Sequence, residues 1–240
     1  MPHMQFGNTE VPYQVKRSNR RSISARITHD GILEIHAPHL VPEFLIRRFL
    51  QNKSSWILSR LDHRTQLLEN GELIQYRNGE YLPFFDSSYL LKITVTDEAP
   101  RPRLYPLNNT FQVLIPSSLS PEQQYEELKT LIHNWYLRNT KPVLEQRVQS
   151  YAQQMGVQYA SIRVKDVTSH WGSCSIQKNL NFNYRIAMLP IELCDYIIVH
   201  ELCHLTEMNH SSRFWALVEQ VIPNYKELRQ TLKKNHMFLD

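Results

Sequence analysis

The chain has 240 residues and a mass of 28.5 kDa, enough for one large domain or two small ones with a real core. Hydrophobic residues at 42% and charged residues at 21% exclude a disordered or collagen-like chain, and six glycines leave no Gly-rich phosphate loop. The formal net charge is +4, and the whole excess sits in residues 1–70.

In chain order, residues 11–17 and 22–28 alternate polar and apolar. His29-Asp30-Gly31 supplies a turn, and Ile32–Ile35 continues as a strand, so a small antiparallel sheet is expected first. Pro42 suits the first turn of a helix, and Phe44, Leu45, Phe49, Trp56, Ile57 and Leu61 recur at helical spacing to about residue 66. Short β segments follow at Leu73–Tyr76, Tyr89–Val95 and Phe111–Ile115, with the prolines at 100, 102 and 106 marking a loop. Ser120-Pro121-Glu122 opens a helix that Pro142 should kink or interrupt and that ends near Met155-Gly156. Strands are expected at Ser161–Val167 and Leu180–Ile186, with another near Trp171–Ser175. A helix runs from Pro190 to about Leu205, and a last helical region, 212–234, breaks at Pro223. This order predicts an α+β fold, divided near residue 118 into an N-terminal β-rich region with one helix (1–118) and a C-terminal domain (119–240).

Lys16, Arg17, Arg20, Arg21 and Arg26 crowd together with no acid between Val11 and His29. The cluster reads either as a phosphate- or nucleic-acid-facing patch or as a solvated hairpin face. Cys174, Cys194 and Cys203 form no CxxC pair, which points to a reducing, cytoplasmic setting. No apolar run approaches the roughly 18–20 residues of a membrane span, and MPHMQFGNTE has no signal-peptide core.

The chemistry lies in Val199-His200-Glu201-Leu202-Cys203-His204, an HExxH on an expected helix. Residues i and i+4 share a helix face, so His200 and His204 can point at one ion. Glu201 projects about 100° around the helix, beside the ion, where it can reach a water. His210 follows after a turn and completes a three-imidazole ligand set. Three protein ligands with an open fourth position and an adjacent Glu predict catalytic Zn2+, with Glu201 as the proton acceptor. Cys203 points away from Glu201 and reads as a small buried hydrophobe.

The block HELCHLTEMNHSSRFW (His200–Trp215), with Trp171–Ser175 and Asn181–Arg185 upstream, resembles the YgjP-like metallopeptidases, a zincin-type family allied to SprT-like and WLM proteases. The resemblance implies a zincin-like C-terminal region, a zinc-dependent hydrolase in the cytoplasm, and metal ligation by His200 and His204 with Glu201 catalytic. The third ligand falls on His210 by the spacing of WLM proteases and metzincins, with Glu219 as the rival. Metzincins place a Gly between the second and third His, where this chain has Glu207. Asn209 is expected to make that turn in left-handed geometry.

His170, Asn183 and Arg185 are candidates to touch substrate along an edge strand, with Trp171 and Phe182 as packing. Tyr184 or Tyr225 is placed to bond an oxyanion or simply to fill space, and Asp195 to orient an imidazole or lie in solvent. Three functions follow. The first is a peptidase acting on peptide or unfolded-protein bonds. The second is a metal-dependent nucleotide triphosphate pyrophosphatase, since an activated water can attack phosphorus as well as carbon. The third is a DNA-associated SprT-like protease docked through the basic cluster.

Overall fold

The structure is a computed structural model that describes residues 1–28, 31–69, 74–167 and 170–234. Contacts group the chain into two compact units, Met1–Ile74 and the chain from Gln75 onward. The division expected near residue 118 would instead fall inside the second unit, between its first sheet and its longest helix. Both units mix helices with small sheets, so the fold class is α+β.

In the first unit, β1 (His3–Phe6), β2 (Thr9–Ser18), β3 (Ser24–Ile27) and β4 (Leu33–Pro38) form one sheet in the order β1-β2-β4-β3. The expected antiparallel pairing holds for β3 with β4, whereas β2 pairs parallel to β4, Tyr13 opposite Leu33. The Asp-Gly step at 30–31 begins outside the described residues. Two helices follow, α1 (Glu43–Asn52) and α2 (Ser54–Glu69), in place of the single one expected. The chain leaves helical geometry at Lys53, with φ −106° and ψ 8°. Tyr13, Leu33, Ile35, Ile46, Leu50 and Ile57 are fully buried and make this unit's core.

That sheet uses up most of the basic cluster. Lys16 and Arg26 both reach the carboxylate of Glu34, Arg26 at 2.7 Å, and His36 Nε2 lies 2.5 Å from it. Glu34 is only 3% exposed. Burial opposes its ionisation, but the bonds from Lys16, His36 and Arg26 overcome that and hold its carboxyl below the usual range. One Nη of Arg17 donates to the carbonyls of Pro38, His39 and Val41. Three of the five cations therefore serve this unit's own groups, and no phosphate-facing patch is gathered from them.

The second unit begins with β5 (Tyr81–Phe84), β6 (Ser87–Thr96), β7 (Arg103–Leu107) and β8 (Thr110–Pro116), ordered β5-β6-β8-β7. The expected strand at Leu73–Tyr76 begins outside the described residues, and its described part, Ile74–Tyr76, is not a strand. Tyr76 instead takes a positive φ of 55°. The proline-rich loop contains β7, an edge strand, where Pro106 removes no central hydrogen bond. Helix α3 (Pro121–Met155) is capped by Ser120 in a capping box with Gln123 and ends at left-handed Gly156. It passes Pro142 without interruption. Its first half packs Leu128, Ile132 and Tyr136 into the core, and its second half Leu144, Val148 and Ala152.

A three-stranded sheet, β10 (Gly172–Cys174), β11 (Asn179–Asn183) and β9 (Ser161–Lys165), follows with β11 in the centre, antiparallel to β10 and parallel to β9. A 3-10 turn (Tyr184–Met188) replaces the expected end of β11. The last helices are α4 (Ile191–Cys203), α5 (Ser212–Val221) and α6 (Tyr225–Lys234), the last two separated around Pro223 as expected. No helix among the described residues is long and apolar enough to cross a membrane.

Candidate metal centre

Helix α4 is buried on most sides, with Leu193, Ile197, Ile198, Val199, Leu202 and Cys203 at most 3% exposed. Two polar contacts fix it. Asp86 Oδ1 accepts the Ile191 N–H at 2.9 Å, placing a carboxylate at the positive end of the helix. Asp195 takes a fork from Arg147 on α3, with Nε to Oδ1 at 2.5 Å and Nη2 to Oδ2 as the second arm. Asp195 therefore neither orients an imidazole nor lies free in solvent. It anchors α4 to α3. Sequence reading missed Asp86 and Arg147, because the pairs span 105 and 48 residues with no local signal.

His200 sits in the last turn of α4, and His204 is its C-cap. The chain then leaves by a tightened turn, with Leu205 N–H donating to Leu202 O, and Thr206 and Glu207 N–H both to Cys203 O. Neither Glu207 nor Asn209 takes a left-handed backbone, so the expected left-handed turn at Asn209 is not how the chain reverses. The i→i+3 bonds do the tightening without a glycine. Ser211 then caps α5 by accepting the Phe214 N–H at 3.3 Å, which fixes His210 immediately before that helix.

The result is a cluster. The ligand nitrogens of His200, His204 and His210 all lie within 4.8 Å of one another, and His210 Nε2 is 2.9 Å from His200 Nε2. Tetrahedral ligation at about 2.0–2.1 Å places nitrogens roughly 3.4 Å apart, inside this spread. His204 Nδ1 lies 3.1 Å from the Glu207 carbonyl; as the donor there, it leaves Nε2 unprotonated. His200 Nδ1 is buried with no partner. Burial, then the neighbouring His204, His210 and Arg229 charges, push the His200 pKa down to about 3, so its imidazole is neutral as a ligand must be. The same burial lowers His204.

Phe214 is fully buried and floors the group, its ring centroid 4.8, 4.5 and 4.8 Å from those of His200, His204 and His210. Trp215 stacks on His210 at 5.7 Å and on Tyr225 at 5.3 Å. Glu219 lies outside the cluster and pairs with Lys226 at 3.6 Å.

Glu201 is 5% exposed, and burial raises its carboxyl to about 8. Between the ordinary value near 4.5 and about 8, the folded chain keeps a proton that the unfolded chain has lost, so this group's contribution to stability falls as pH rises through that window. In chelator-treated protein, Glu201→Gln is therefore expected to melt higher than wild type by a margin that widens from pH 5 to pH 8. A margin that stays constant in paired thermal melts would contradict the assignment.

The other candidates divide. Asn183 is fully buried, its amide directed at the carbonyls of Val167 and His170 while its Oδ1 accepts from the Arg185 N–H. Arg185 pairs with Asp166 and lies over the Tyr184 ring at 4.5 Å, and Tyr184 is buried. These residues bond and pack with one another and their neighbours, whereas His170 is exposed. Trp171, Phe182 and Cys203 are core, and Tyr225 is buried against Trp215.

Residues 21–235 match the sequence profile of a family described as YgjP-like, metallopeptidase domain. No curated protein matches the chain. Among solved structures, the metallopeptidase zymogen abylysin of Pyrococcus abyssi is 26% identical, with 38% of this chain and 93% of that one covered and a TM-score of 0.36. The zymogen jannalysin of Methanocaldococcus jannaschii is 21% identical over 38% of this chain and 95% of its own, also with a TM-score of 0.36. The family profile covers nearly the whole chain, which therefore belongs to the YgjP-like metallopeptidases and is a metal-dependent peptidase.

Proposed function

We propose that this chain is a zinc peptidase of zincin type, in which His200, His204 and His210 hold the ion and Glu201 carries the proton. The observation that supports this most is the convergence of three imidazoles, two from α4 and one from the turn before α5, on one small volume above Phe214. Three nitrogen donors suit zinc. Glu219, salt-bridged to Lys226 outside the cluster, leaves the third position to His210.

A zinc ion held by His200, His204 and His210 would supply a Lewis acid, able to lower the pKa of a water to ~7 and to polarise a scissile carbonyl. Glu201 takes the proton of the attacking water as its oxygen bonds to the carbonyl carbon. It then delivers that proton to the nitrogen as the C–N bond breaks. Phe214 and Trp215 hold the imidazoles in place around it. The substrate is an unfolded segment laid along β10, an edge of its sheet that packs against α4. Three free cysteines, two of them buried, suit a reducing cytoplasm.

Incubating the purified protein with a denatured, labelled protein is expected to give fragments, to stop with a chelator and to resume when zinc is restored. Intact substrate beside phosphate release from nucleotide triphosphates would replace the peptidase by the phosphohydrolase. Cutting only on DNA, weakening steeply with salt, would replace it by the DNA-associated protease.

A further inference from the structure

We propose that Gly172 is a positioning residue for Glu201: the space its missing Cβ leaves is where the Glu201 side chain lies, so strand β10 sets where that carboxyl sits. This rests on the catalytic reading of Glu201 for its functional consequence, though not for the contact itself. A Cβ built on Gly172 would fall 2.8 Å from Glu201 Cγ, 2.8 Å from Oε1 and 3.0 Å from Cδ. All three nearest atoms belong to that one side chain. Among the described residues the Glu201 side chain makes no hydrogen bond or ion pair, and its closest approach to β10 is at Gly172.

The strand cannot easily back away. Gly172 pairs with Phe182 in register, the Asn183 N–H donates to Trp171 O at 2.8 Å, and the Asn181 amide donates to Ser173 Oγ at 3.3 Å. Trp171, which precedes Gly172, and Phe182, which pairs with it, are 6% and 1% exposed. On the other side α4 is held by Arg147 and Asp86. Between two fixed backbones, an added methyl is accommodated by moving Glu201. Cys174 lies two residues along and so on the same strand face; burial first, and then the nearby Glu201 carboxylate, push its thiol up, which agrees with that face of β10 meeting the carboxyl. No positive φ is recorded at Gly172, so an alanine there is strained by the contact and not by the backbone.

The test is a double-mutant cycle read twice. Thermal stability of the metal-loaded proteins is compared for Gly172→Ala in the wild-type background and in Glu201→Ala, where the obstructing side chain is gone. Destabilisation in the first and little in the second is expected, and recovery of folding in the second if the single variant is insoluble. Equal destabilisation in both backgrounds would overturn the proposal. Where Gly172→Ala folds, kcat is expected to fall at least tenfold with KM and metal content unchanged, and its crystal structure to show the carboxyl displaced relative to His200. Unchanged kcat while Glu201→Gln is inactive would overturn the proposal and leave the catalytic reading standing. Full activity of Glu201→Gln would instead remove that reading, with the stability cycle still deciding the contact.

Discussion

Glu201→Gln is expected to bind one metal ion per chain as wild type does and to lose about 10²–10⁴-fold in kcat, the usual contribution of a general base. That range corresponds to roughly 3–5 kcal/mol of barrier. Glutamine keeps the length and shape of the protonated acid, and Glu201 is too buried for the change to open the site to solvent. The substitution therefore removes the proton acceptor and little else. Single-turnover cleavage of a denatured protein, with metal content measured on the same sample, checks both halves. Retained metal with retained turnover would show that the proton goes elsewhere. Lost metal would make Glu201 part of the ligand set.

His210→Ala is expected to produce the second large effect, on metal affinity. Removing a group that only orients a ligand typically costs 10–100-fold in affinity, so removing a ligand should weaken binding by at least about 100-fold. Glu219→Ala is expected to change affinity little, since that carboxylate is exposed and engaged with Lys226. Competition against a chelator of known affinity ranks the three proteins. The reverse order would move the third ligand to α5. Because His210 stacks on Trp215, a shift in tryptophan emission on metal addition offers a second readout.

The candidate site was legible in the sequence because its proposed ligands are local. His200, Glu201 and His204 lie within five consecutive residues, and helical geometry puts the two histidines on one face with Glu201 beside it. His210 lies close enough for a short turn to return it. What supports the cluster was only partly legible. Phe214 reads as one more core position in an amphipathic helix, and nothing in its spacing says that it lies under all three imidazoles. The Asp86 contact at the start of α4, the Arg147–Asp195 fork and the Gly172–Glu201 packing join residues 29 to 105 positions apart, each set by tertiary structure alone.

The basic cluster shows the converse. Five cations within eleven residues look like a phosphate surface only while Glu34, eight residues beyond Arg26, is left out. In the sheet, β4 lies between β2 and β3, and its buried Glu34 draws in Lys16 from one neighbour and Arg26 from the other. The expected pairing of the first sheet differed for a related reason. Alternation identifies strands without their partners, so the parallel pairing of β2 with β4 could not be read from either segment. Pro142 carries a local cost, but a continuous helix packed along its length tolerates it.

Anomalous diffraction at the zinc edge, from crystals grown with one equivalent of zinc, locates the ion directly. A single peak about 2.0–2.1 Å from Nε2 of His200, His204 and His210, absent in His204→Ala crystals, is the expected result. A peak coordinated by Glu219, or none at all near α4, would contradict the three-imidazole centre on which the proposed chemistry depends.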